Sequence, residues 1–348
     1  MRSERNHSRG KHVTFWQIAA GSAGRDYAEE FLRFGMAFVG GNDQVKAMSR
    51  VKAGDTVLLK RGMSTVVAVG EVVERDGKCG GKGDKEWLKD FDGWNLLAYC
   101  YVRWHRPTAP IDTSGLTRAT IQEVRQDHLI QIARDTLRDV PPLTITAPEP
   151  APTRKVEDAE ILSFLIHEGL RPSSADELTN TLRRIRLLAK YYYDLWQWND
   201  VREHETRTFL IVPLLLALGW AEQQMKIELG VKSGRVDVAC FSRPYRRDAN
   251  GVANDHECVL LLESKGFGSG LNYAPAQAHA YATHFPSCRV VVVSNGYCYK
   301  TYERSGDGVF SLEPSAYLNL LNPQDCYPLA PDRVGGALEV LRHLLPKT

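Results

Sequence analysis

The sequence predicts two domains of different class: a small barrel-like, β-rich α+β domain and, after it, an α/β domain whose mixed central sheet is flanked by helices. Three observations carry this prediction. Short β-branched strands alternate with glycine-rich turns over about the first hundred residues. A proline-rich segment then interrupts the chain, and beyond it apolar strands alternate with helical patterns. We assign residues 1–140 to the first domain, 141–155 to a linker and 156–348 to the second.

Composition narrows the class of protein. The 348 residues are 43% hydrophobic and 25% charged, which is ordinary for a globular chain long enough to bury two cores. The net charge is only +2, so a nucleic-acid surface would have to be a local patch. The 7 cysteines lack a regular spacing, no apolar run is long enough to span a bilayer, and the polar opening Met1–Lys11 lacks the apolar stretch of a signal peptide. We therefore expect a cytoplasmic protein with no membrane partner.

The elements of the first domain follow from its apolar runs. Strands are predicted at residues 14–19, 36–39, 56–60, 66–73 and 96–104. A short helix is predicted over residues 26–34. Together these elements favour a compact barrel. After the barrel, the spacing of apolar residues over 120–138, among them Ile121, Leu129 and Leu137, predicts one amphipathic helix.

Several short motifs in the first domain resemble the EVE-type branch of the PUA-like superfamily. They are Trp16, Phe38-Val39-Gly40-Gly41, the turn Ala53-Gly54-Asp55-Thr56-Val57, the strand Ala68-Val69-Gly70-Glu71-Val72 and the closing Val102-Arg103-Trp104. Domains of this kind are associated with reading modified bases. Aromatic rings can sandwich an extruded base while polar groups read its edge. The resemblance therefore implies a modified-base sensor in the first domain.

Four tryptophans are candidate walls of such an aromatic cage: Trp16, Trp87, Trp94 and Trp104. Trp87 and Trp94 lie in a polar, glycine-rich loop, where a core role is less natural, so they are the stronger candidates. Arg25, which follows a glycine-rich turn, could contact a phosphate. Alternatives stay open here, because each tryptophan could belong to the barrel core and Arg25 could be a solvated loop charge.

Helical patterns flank the strands of the second domain. Residues 157–167 and the region around 337–345 are predicted helices, and Ser174 to Glu177 has the spacing of a capping box that opens a longer helix. Four cysteines of this domain lack the close spacing of structural zinc sites, and we expect them to be buried core residues: Cys240, Cys258, Cys288 and Cys298.

Two strands of the second domain carry acids in a pattern that suits a metal ion. Asp237 lies in the β-branched run 236–240, and the apolar run 258–262 ends in Glu263-Ser264-Lys265. Because side chains alternate along a strand, Glu263 and Lys265 face the same side, where buried charges need compensation. Asp237 and Glu263 offer the oxygens that Mg²⁺ prefers, and Lys265 could steady a phosphate or a water. The alternative is a structural ion pair at a sheet end.

Five segments in order resemble the PD-(D/E)xK nucleases, and more narrowly the nuclease domain at the N-terminus of type I restriction motor subunits. They are Glu203-His204-Glu205-Thr206-Arg207 with Leu218-Gly219-Trp220, then Asp237, Glu263-Ser264-Lys265, Gln277 with Tyr281, and 290–296. The resemblance implies that Asp237, Glu263 and Lys265 are catalytic, with Mg²⁺ as the cofactor and Mn²⁺ able to substitute. It also implies roles for a helix acid, for which Glu203 is favoured over Glu205, and for Gln277 and Tyr281. Val236 departs from the family name, which has a proline there.

The two resemblances together imply a modification-dependent restriction endonuclease that cuts foreign double-stranded DNA with modified bases and defends a cell against phage. Double-strand cleavage implies a homodimer or a larger assembly. Two other interpretations remain open. One is a nuclease gated by a small nucleotide that the first domain binds. The other is a modified-nucleic-acid binding protein whose nuclease fold is only structural.

Overall fold

The computed structural model describes residues 13–21, 24–195, 198 and 200–346, and these form two compact units. The polar opening Met1–Lys11 lies outside the described residues. The first unit holds residues 13–21, Asp26–Lys85 and Leu96–Glu149. The second unit holds residues 24–25, Glu86–Asn95 and the chain from Pro150 onward. It therefore includes two stretches that the sequence analysis places in the first domain.

The first unit is a curled, mixed half-barrel sheet of short strands. Its strands are β1 (Phe15–Ala19), β2 (Met36–Val39), β3 (Thr56–Arg61), β4 (Thr65–Val72), β5 (Gly80–Lys82), β6 (Ala98–His105), β7 (Ile111–Asp112) and β8 (Ile121–Glu123). The main path runs β2-β6-β4-β3-β1-β8, with β5 beside β6 and β7 beside β4, and only β1 and β3 pair in parallel. Its helices are α1 (Ala28–Phe34), α2 (Asn42–Met48) and α3 (Asp127–Asp139).

The predicted single helix over 120–138 is wrong at its beginning. Ile121–Glu123 is strand β8, which pairs antiparallel with β1, and helix α3 starts only at Asp127. Ile121 is buried while Gln122 is exposed, so this stretch follows the two-residue period of a strand. Pairing also satisfies the backbone groups along the edge of β1, which a helix could not do. Helix α3 itself packs Leu129 against the core of the first unit.

The second unit is a mixed six-stranded sheet with helices. Its strands are β9 (Met225–Val231), β10 (Gly234–Phe241), β11 (Cys258–Ser264), β12 (Val290–Ser294), β13 (Cys298–Glu303) and β14 (Ala316–Asn319), in the order β14-β13-β12-β11-β10-β9. Only β11 and β12 pair in parallel. Its helices are α4 (Asp158–His167), α5 (Ala175–Asp194), α6 (Glu203–Thr206), α7 (Val212–Ala217), α8 (Ala274–Ala282) and α9 (Ala337–Leu344). Among the described helices, none combines the length and apolar character that crossing a bilayer requires.

The predicted capping box of helix α5 is confirmed in position but not in its hydrogen bond. Helix α5 begins where the capping box predicts, but the Ser174 side chain makes no capping hydrogen bond. Cys240, Cys258, Cys288 and Cys298 are all buried and free, as predicted for core residues. Strands β9 and β14 were not predicted. β9 alternates apolar and other residues over Met225–Val231, a strand pattern that the sequence prediction missed, and β14 is only 4 residues long.

The segment Glu86–Asn95 lies between strands β5 and β6 in sequence, but it belongs to the second unit. A 3₁₀ helix, Glu86–Asp90, leads into a two-residue hairpin turn in which Phe91 and Trp94 exchange backbone hydrogen bonds of 2.8 and 3.0 Å. The central residues Asp92 and Gly93 have φ of 52° and 83°, the left-handed pair that an Asp-Gly turn of type I′ requires. The turn thus points the Asp92 carboxylate at residues of strand β13 and beyond.

The proline-rich segment 141–155 contains no helix or strand, and it is bonded at both ends. The Leu143 amide donates to the Trp104 carbonyl at 2.7 Å in the first unit. The Arg154 amide donates to an Asp325 carboxylate oxygen at 2.8 Å in the second unit. The boundary between the units falls at residue 149, within this segment.

Candidate active site

Three carboxylates of the second unit meet where the pairing of strands β10 and β11 ends, in the middle of β10 and near the end of β11. Asp237 and Glu263 lie next to the last registered pair of this ladder, Val238 with Leu262. Glu203 is the first residue of helix α6. One carboxylate oxygen from each of Glu203, Asp237 and Glu263 lies within 4.8 Å of the others. The structure therefore brings together the helix acid and the two strand acids that the sequence analysis singled out.

Asp237 is held in one orientation by neighbours on both sides. Its Oδ2 accepts hydrogen bonds from the Ser264 amide at 2.7 Å and the Ser264 hydroxyl at 2.8 Å. Its Oδ1 accepts one from Arg207 Nη1 at 2.7 Å, and the Arg207 side chain is itself buried. Charge-assisted hydrogen bonds of this kind are among the stronger ones in proteins. Asp237 thus occupies a fixed position at the centre of the cluster.

Glu263 carries one satisfied and one unsatisfied oxygen. Its Oε1 accepts a hydrogen bond from Lys265 Nζ. Its Oε2 is buried and has no hydrogen-bond partner among the residues that the structure describes. Burial raises the pKa of the Glu263 carboxyl, and the Lys265 hydrogen bond opposes that rise. A buried carboxylate oxygen without a partner costs free energy unless something else binds it.

Glu203 is the acid most affected by its neighbours. Burial, and then the negative charge of Asp237, raise the pKa of the Glu203 carboxyl to about 7, whereas Lys265 lowers it. The alternative acid, Glu205, is exposed, and its Oε2 accepts a hydrogen bond from the Arg202 amide at 2.8 Å. Glu205 therefore serves the start of helix α6, and it is Glu203 that contributes to the cluster.

These residues fit a hard divalent cation. Three carboxylates close enough to share one ion, an orphaned Glu263 oxygen and a raised Glu203 pKa all describe negative charge in need of compensation. Carboxylate oxygens are the donors that Mg²⁺ selects. Asp237 and Glu263 would hold the ion, with Glu203 beside them. Lys265, whose side chain is 23% exposed, remains accessible to a substrate.

Gln277 and Tyr281 lie one turn apart on helix α8, as predicted. Gln277 Oε1 is 3.5 Å from Lys265 Nζ, and Gln277 Nε2 donates to the Tyr281 hydroxyl at 2.9 Å. Gln277 is exposed while Tyr281 is buried. The arrangement links the lysine to helix α8, so Gln277 can help to orient the Lys265 ammonium and Tyr281 can orient Gln277.

Two supporting residues of the site, Ser264 and Glu228, have no signal of this role in the sequence. The register of the flanking pairs places Glu228 on β9 opposite Asp237, and Glu228 has a left-handed φ of 53°. Arg207 Nη2 donates to Glu228 Oε1 at 2.7 Å, so Arg207 joins Glu228 to Asp237. A non-glycine residue in this conformation costs about 1–3 kcal/mol and is typical of functional sites. No local sequence pattern signals such a distortion.

Trp16 and Trp104, two of the four predicted base-binding tryptophans, lie in the core of the first unit. Trp16 is 2% exposed, and its indole N–H donates to Asp55 Oδ2 at 3.0 Å. Trp104 is 1% exposed, and its N–H donates to the Phe31 carbonyl at 2.9 Å. Both rings therefore have their polar group satisfied inside the barrel, which is the environment of a core tryptophan.

Trp87, Trp94 and Arg25 belong to the second unit. Trp87 is buried, with its ring centroid 6.0 Å from that of Phe91. Trp94 is half-buried, and the Arg25 guanidinium lies 3.9 Å from the centre of its ring. Arg25 Nη1 donates to the Gly268 carbonyl at 2.6 Å. Arg25 is 4% exposed, so it is not the solvated loop charge of the alternative interpretation, and it contacts the chain that follows Lys265.

The raised pKa of Glu203 predicts a pH dependence of metal binding. Below about pH 7 the Glu203 carboxyl is protonated in the metal-free protein, and the ion has to displace that proton. We expect the apparent Mg²⁺ affinity, measured by calorimetry without nucleic acid, to rise by up to about tenfold per pH unit towards pH 7 and then to level off. The Glu203→Gln protein should bind Mg²⁺ more weakly and without this slope. An affinity that does not change with pH would contradict the assignment.

The raised pKa of Glu203 also determines how the stability of the metal-free protein changes with pH. Because the folded pKa of Glu203 lies above its ordinary value of 4.5, the folded protein binds more protons than the unfolded chain between about pH 4.5 and 7. The metal-free protein should therefore lose stability as the pH rises through this window. Saturating Mg²⁺ should remove that loss.

Comparison with known protein families and with curated proteins finds no match for this sequence.

Proposed function

We propose that this protein is a Mg²⁺-dependent nuclease of the PD-(D/E)xK kind that hydrolyses DNA carrying modified bases. The observation that carries the proposal is the meeting of Glu203, Asp237 and Glu263 within 4.8 Å, with Lys265 bonded to Glu263. Acids on two adjacent strands, with a lysine directly after one of them, are what the sequence resemblance implies. The mixed six-stranded sheet with helices is compatible with a restriction-endonuclease-like core.

The reaction would be hydrolysis of a phosphodiester bond. Water adds to phosphorus and the P–O3′ bond breaks, which leaves a 5′-phosphate and a 3′-hydroxyl. A divalent ion at this site would lower the pKa of a bound water and neutralise the charge that develops on the phosphate. Asp237, Glu263 and Glu203 would hold the ion.

The remaining side chains would position the substrate. The Lys265 ammonium, oriented by Glu263 and by Gln277, would donate hydrogen bonds to a phosphate oxygen or to the attacking water. Tyr281 fixes Gln277 through a hydrogen bond of 2.9 Å. Arg207 offsets the charge of Asp237 and is too buried to reach a substrate, so its role would be to hold Asp237 in place.

The first unit would select the substrate, as the resemblance to EVE-type domains implies. Its curled sheet offers a cleft of about 460 Å³ lined by, among others, Leu32, Arg75, Trp104 and Ile145. This volume is within the usual range for a small-molecule site, about 300–1,000 Å³. An arginine in a largely apolar cleft would suit a base and its phosphate. A dimer would place two catalytic centres on one duplex and allow double-strand cleavage.

One experiment tests the proposal directly. The full-length protein is incubated with unmodified, methylated, hydroxymethylated and glucosylated DNA and with RNA, each in Mg²⁺ and in EDTA. We expect cleavage of one class of modified DNA in Mg²⁺, none in EDTA, and 5′-phosphate ends on the products. End-labelling of the products distinguishes the two kinds of end.

The other outcomes separate the competing interpretations. Cleavage that ignores base modification but requires an added nucleotide would favour a ligand-gated nuclease over a modification-dependent one. Selective binding of modified DNA without cleavage in Mg²⁺ or Mn²⁺ would overturn the enzymatic assignment and leave a binding protein. Full activity in EDTA would overturn the role of the metal.

A further inference from the structure

The two chain segments that carry the catalytic residues are joined just outside the active site. The Phe267 amide donates to the Val201 carbonyl at 3.0 Å, and the Gly268 amide donates to the Trp198 carbonyl at 3.0 Å. The first segment leads into Glu203, and the second follows directly from Lys265. A shift of this junction would therefore move the helix acid relative to the lysine.

Arg25 is bonded to this junction from a distant part of the sequence. The Arg25 side chain is 4% exposed, and its Nη1 donates to the Gly268 carbonyl at 2.6 Å. Its guanidinium stacks on Trp94, and the Trp94 ring in turn makes an edge contact with Trp198, with centroids 6.0 Å apart. Arg25 and Trp94 thus contact both chain segments of the junction, at Gly268 and at Trp198.

The position of Arg25 leaves little freedom for the chain that it contacts. A Cβ atom on Gly270 would lie 2.2 Å from Arg25 Cγ and 2.5 Å from the Gly24 carbonyl oxygen, so the two backbones meet where only glycine fits. Among the described residues, the Arg25 Nε and Nη2 atoms are buried without hydrogen-bond partners. A buried guanidinium in such surroundings is costly to stability. Its position is better explained by a role in activity than by a contribution to folding.

We propose that Arg25, stacked on Trp94, is a positioning residue for the catalytic centre. It sets the spacing between Glu203 and the Glu263–Lys265 segment. Arg25 lies in the loop between β1 and α1, and Trp94 lies in the loop between β5 and β6. The inference rests on the proposed nuclease function and adds a residue that positions its metal site.

The test compares Arg25→Met with the wild type in the full-length chain. Methionine keeps much of the volume but removes the charge and the hydrogen bond to Gly268. We expect kcat on the DNA that the wild type cleaves to fall about 10- to 100-fold, the usual effect of losing a residue that orients metal ligands. KM should stay unchanged, and the Mg²⁺ affinity measured without DNA should fall about tenfold.

Two further variants separate a loss of positioning from a general effect on folding. Trp94→Phe keeps a ring under Arg25 but weakens the cation–π contact, and should give a smaller loss of the same kind. Arg304→Met is the matched control, because Arg304 also donates to backbone carbonyls, of Pro286 and Ala282, and lies over the Phe310 ring. Arg304 has no contact with the carboxylate cluster, so its replacement should leave kcat and Mg²⁺ affinity unchanged.

The readouts distinguish failure of this inference from failure of the proposed function. If the wild type cleaves and Arg25→Met matches it in kcat and Mg²⁺ affinity, the positioning role is overturned and the nuclease stands. A lowered melting temperature with unchanged Mg²⁺ affinity would also overturn it, since that is the effect of a merely structural residue. If the wild type binds Mg²⁺ but cleaves nothing, while Arg25→Met binds Mg²⁺ more weakly, the function falls and the positioning role is supported.

Discussion

Asp237→Asn, Glu263→Gln and Lys265→Met should each reduce cleavage by at least about 100-fold, with losses of up to about 10,000-fold for a group that takes part in proton transfer or charge stabilisation. Each change is nearly isosteric, so it removes charge without opening a cavity. The two acid variants should also lose Mg²⁺ affinity, whereas Lys265→Met should retain it. Single-turnover cleavage and calorimetry measure the two effects separately.

Glu205→Gln is the matched control for these variants. Glu205 lies two residues from Glu203, but it accepts the Arg202 amide hydrogen bond at the start of α6 and is exposed. Glutamine keeps that acceptor, so cleavage and Mg²⁺ binding should stay at the level of the wild type. If Asp237→Asn cleaved DNA as fast as the wild type, the active site would not lie at this part of the sheet.

The sequence was most informative where local pattern and chemistry agree. The apolar run before Glu263 has the length of a buried strand, and alternation along a strand predicts that Glu263 and Lys265 face the same side. Asp237 was found because an acid within a β-branched run is unusual. These three residues needed no knowledge of distant contacts, since each lies on a strand whose pairing follows from its hydrophobic pattern.

Distant contacts explain what the sequence did not reveal. The Asp90 and Asp92 carboxylates look like ordinary loop acids, but their partners are more than 200 residues away along the chain. Asp90 accepts hydrogen bonds from the Tyr317 hydroxyl and the Asn319 amide, at 2.8 and 3.0 Å. Burial raises the pKa of Asp90 to about 6 despite these bonds. No period or spacing within 86–95 indicates that this stretch belongs to the second unit.

Contacts between residues distant in sequence also decide where the tryptophans lie. Polar surroundings in sequence suggested that Trp87 and Trp94 are free to contact a base, yet the acids beside them are buried in the second unit. A loop that looks hydrophilic can be buried when each polar group finds a partner. A C-terminal fragment that begins at the linker would lack this segment, and we expect it to be less stable than the intact chain for that reason.

Asp92→Asn should destabilise the second unit by about 3 kcal/mol, because it leaves the Lys300 ammonium buried without a charged partner. Lys300 Nζ lies 2.9 Å from Asp92 Oδ2, and the two side chains are 8% and 5% exposed. The Tyr327 hydroxyl donates to the other oxygen of Asp92 at 2.5 Å. Asparagine tolerates the left-handed φ of 52° at this position, so the change tests the charge and not the turn. Urea unfolding followed by tryptophan fluorescence gives the free energy of unfolding.

A double variant separates the charge effect from lost packing. Asp92→Asn combined with Lys300→Met contains no buried charge at this site, and most of the lost stability should return. Asp43→Asn is the control, because its partner Lys46 lies 3.3 Å away and the two side chains are 95% and 80% exposed. Such a surface pair contributes at most about 1 kcal/mol. If Asp92→Asn were no more destabilising than Asp43→Asn, the 86–95 segment would not be held to the second unit by this ion pair.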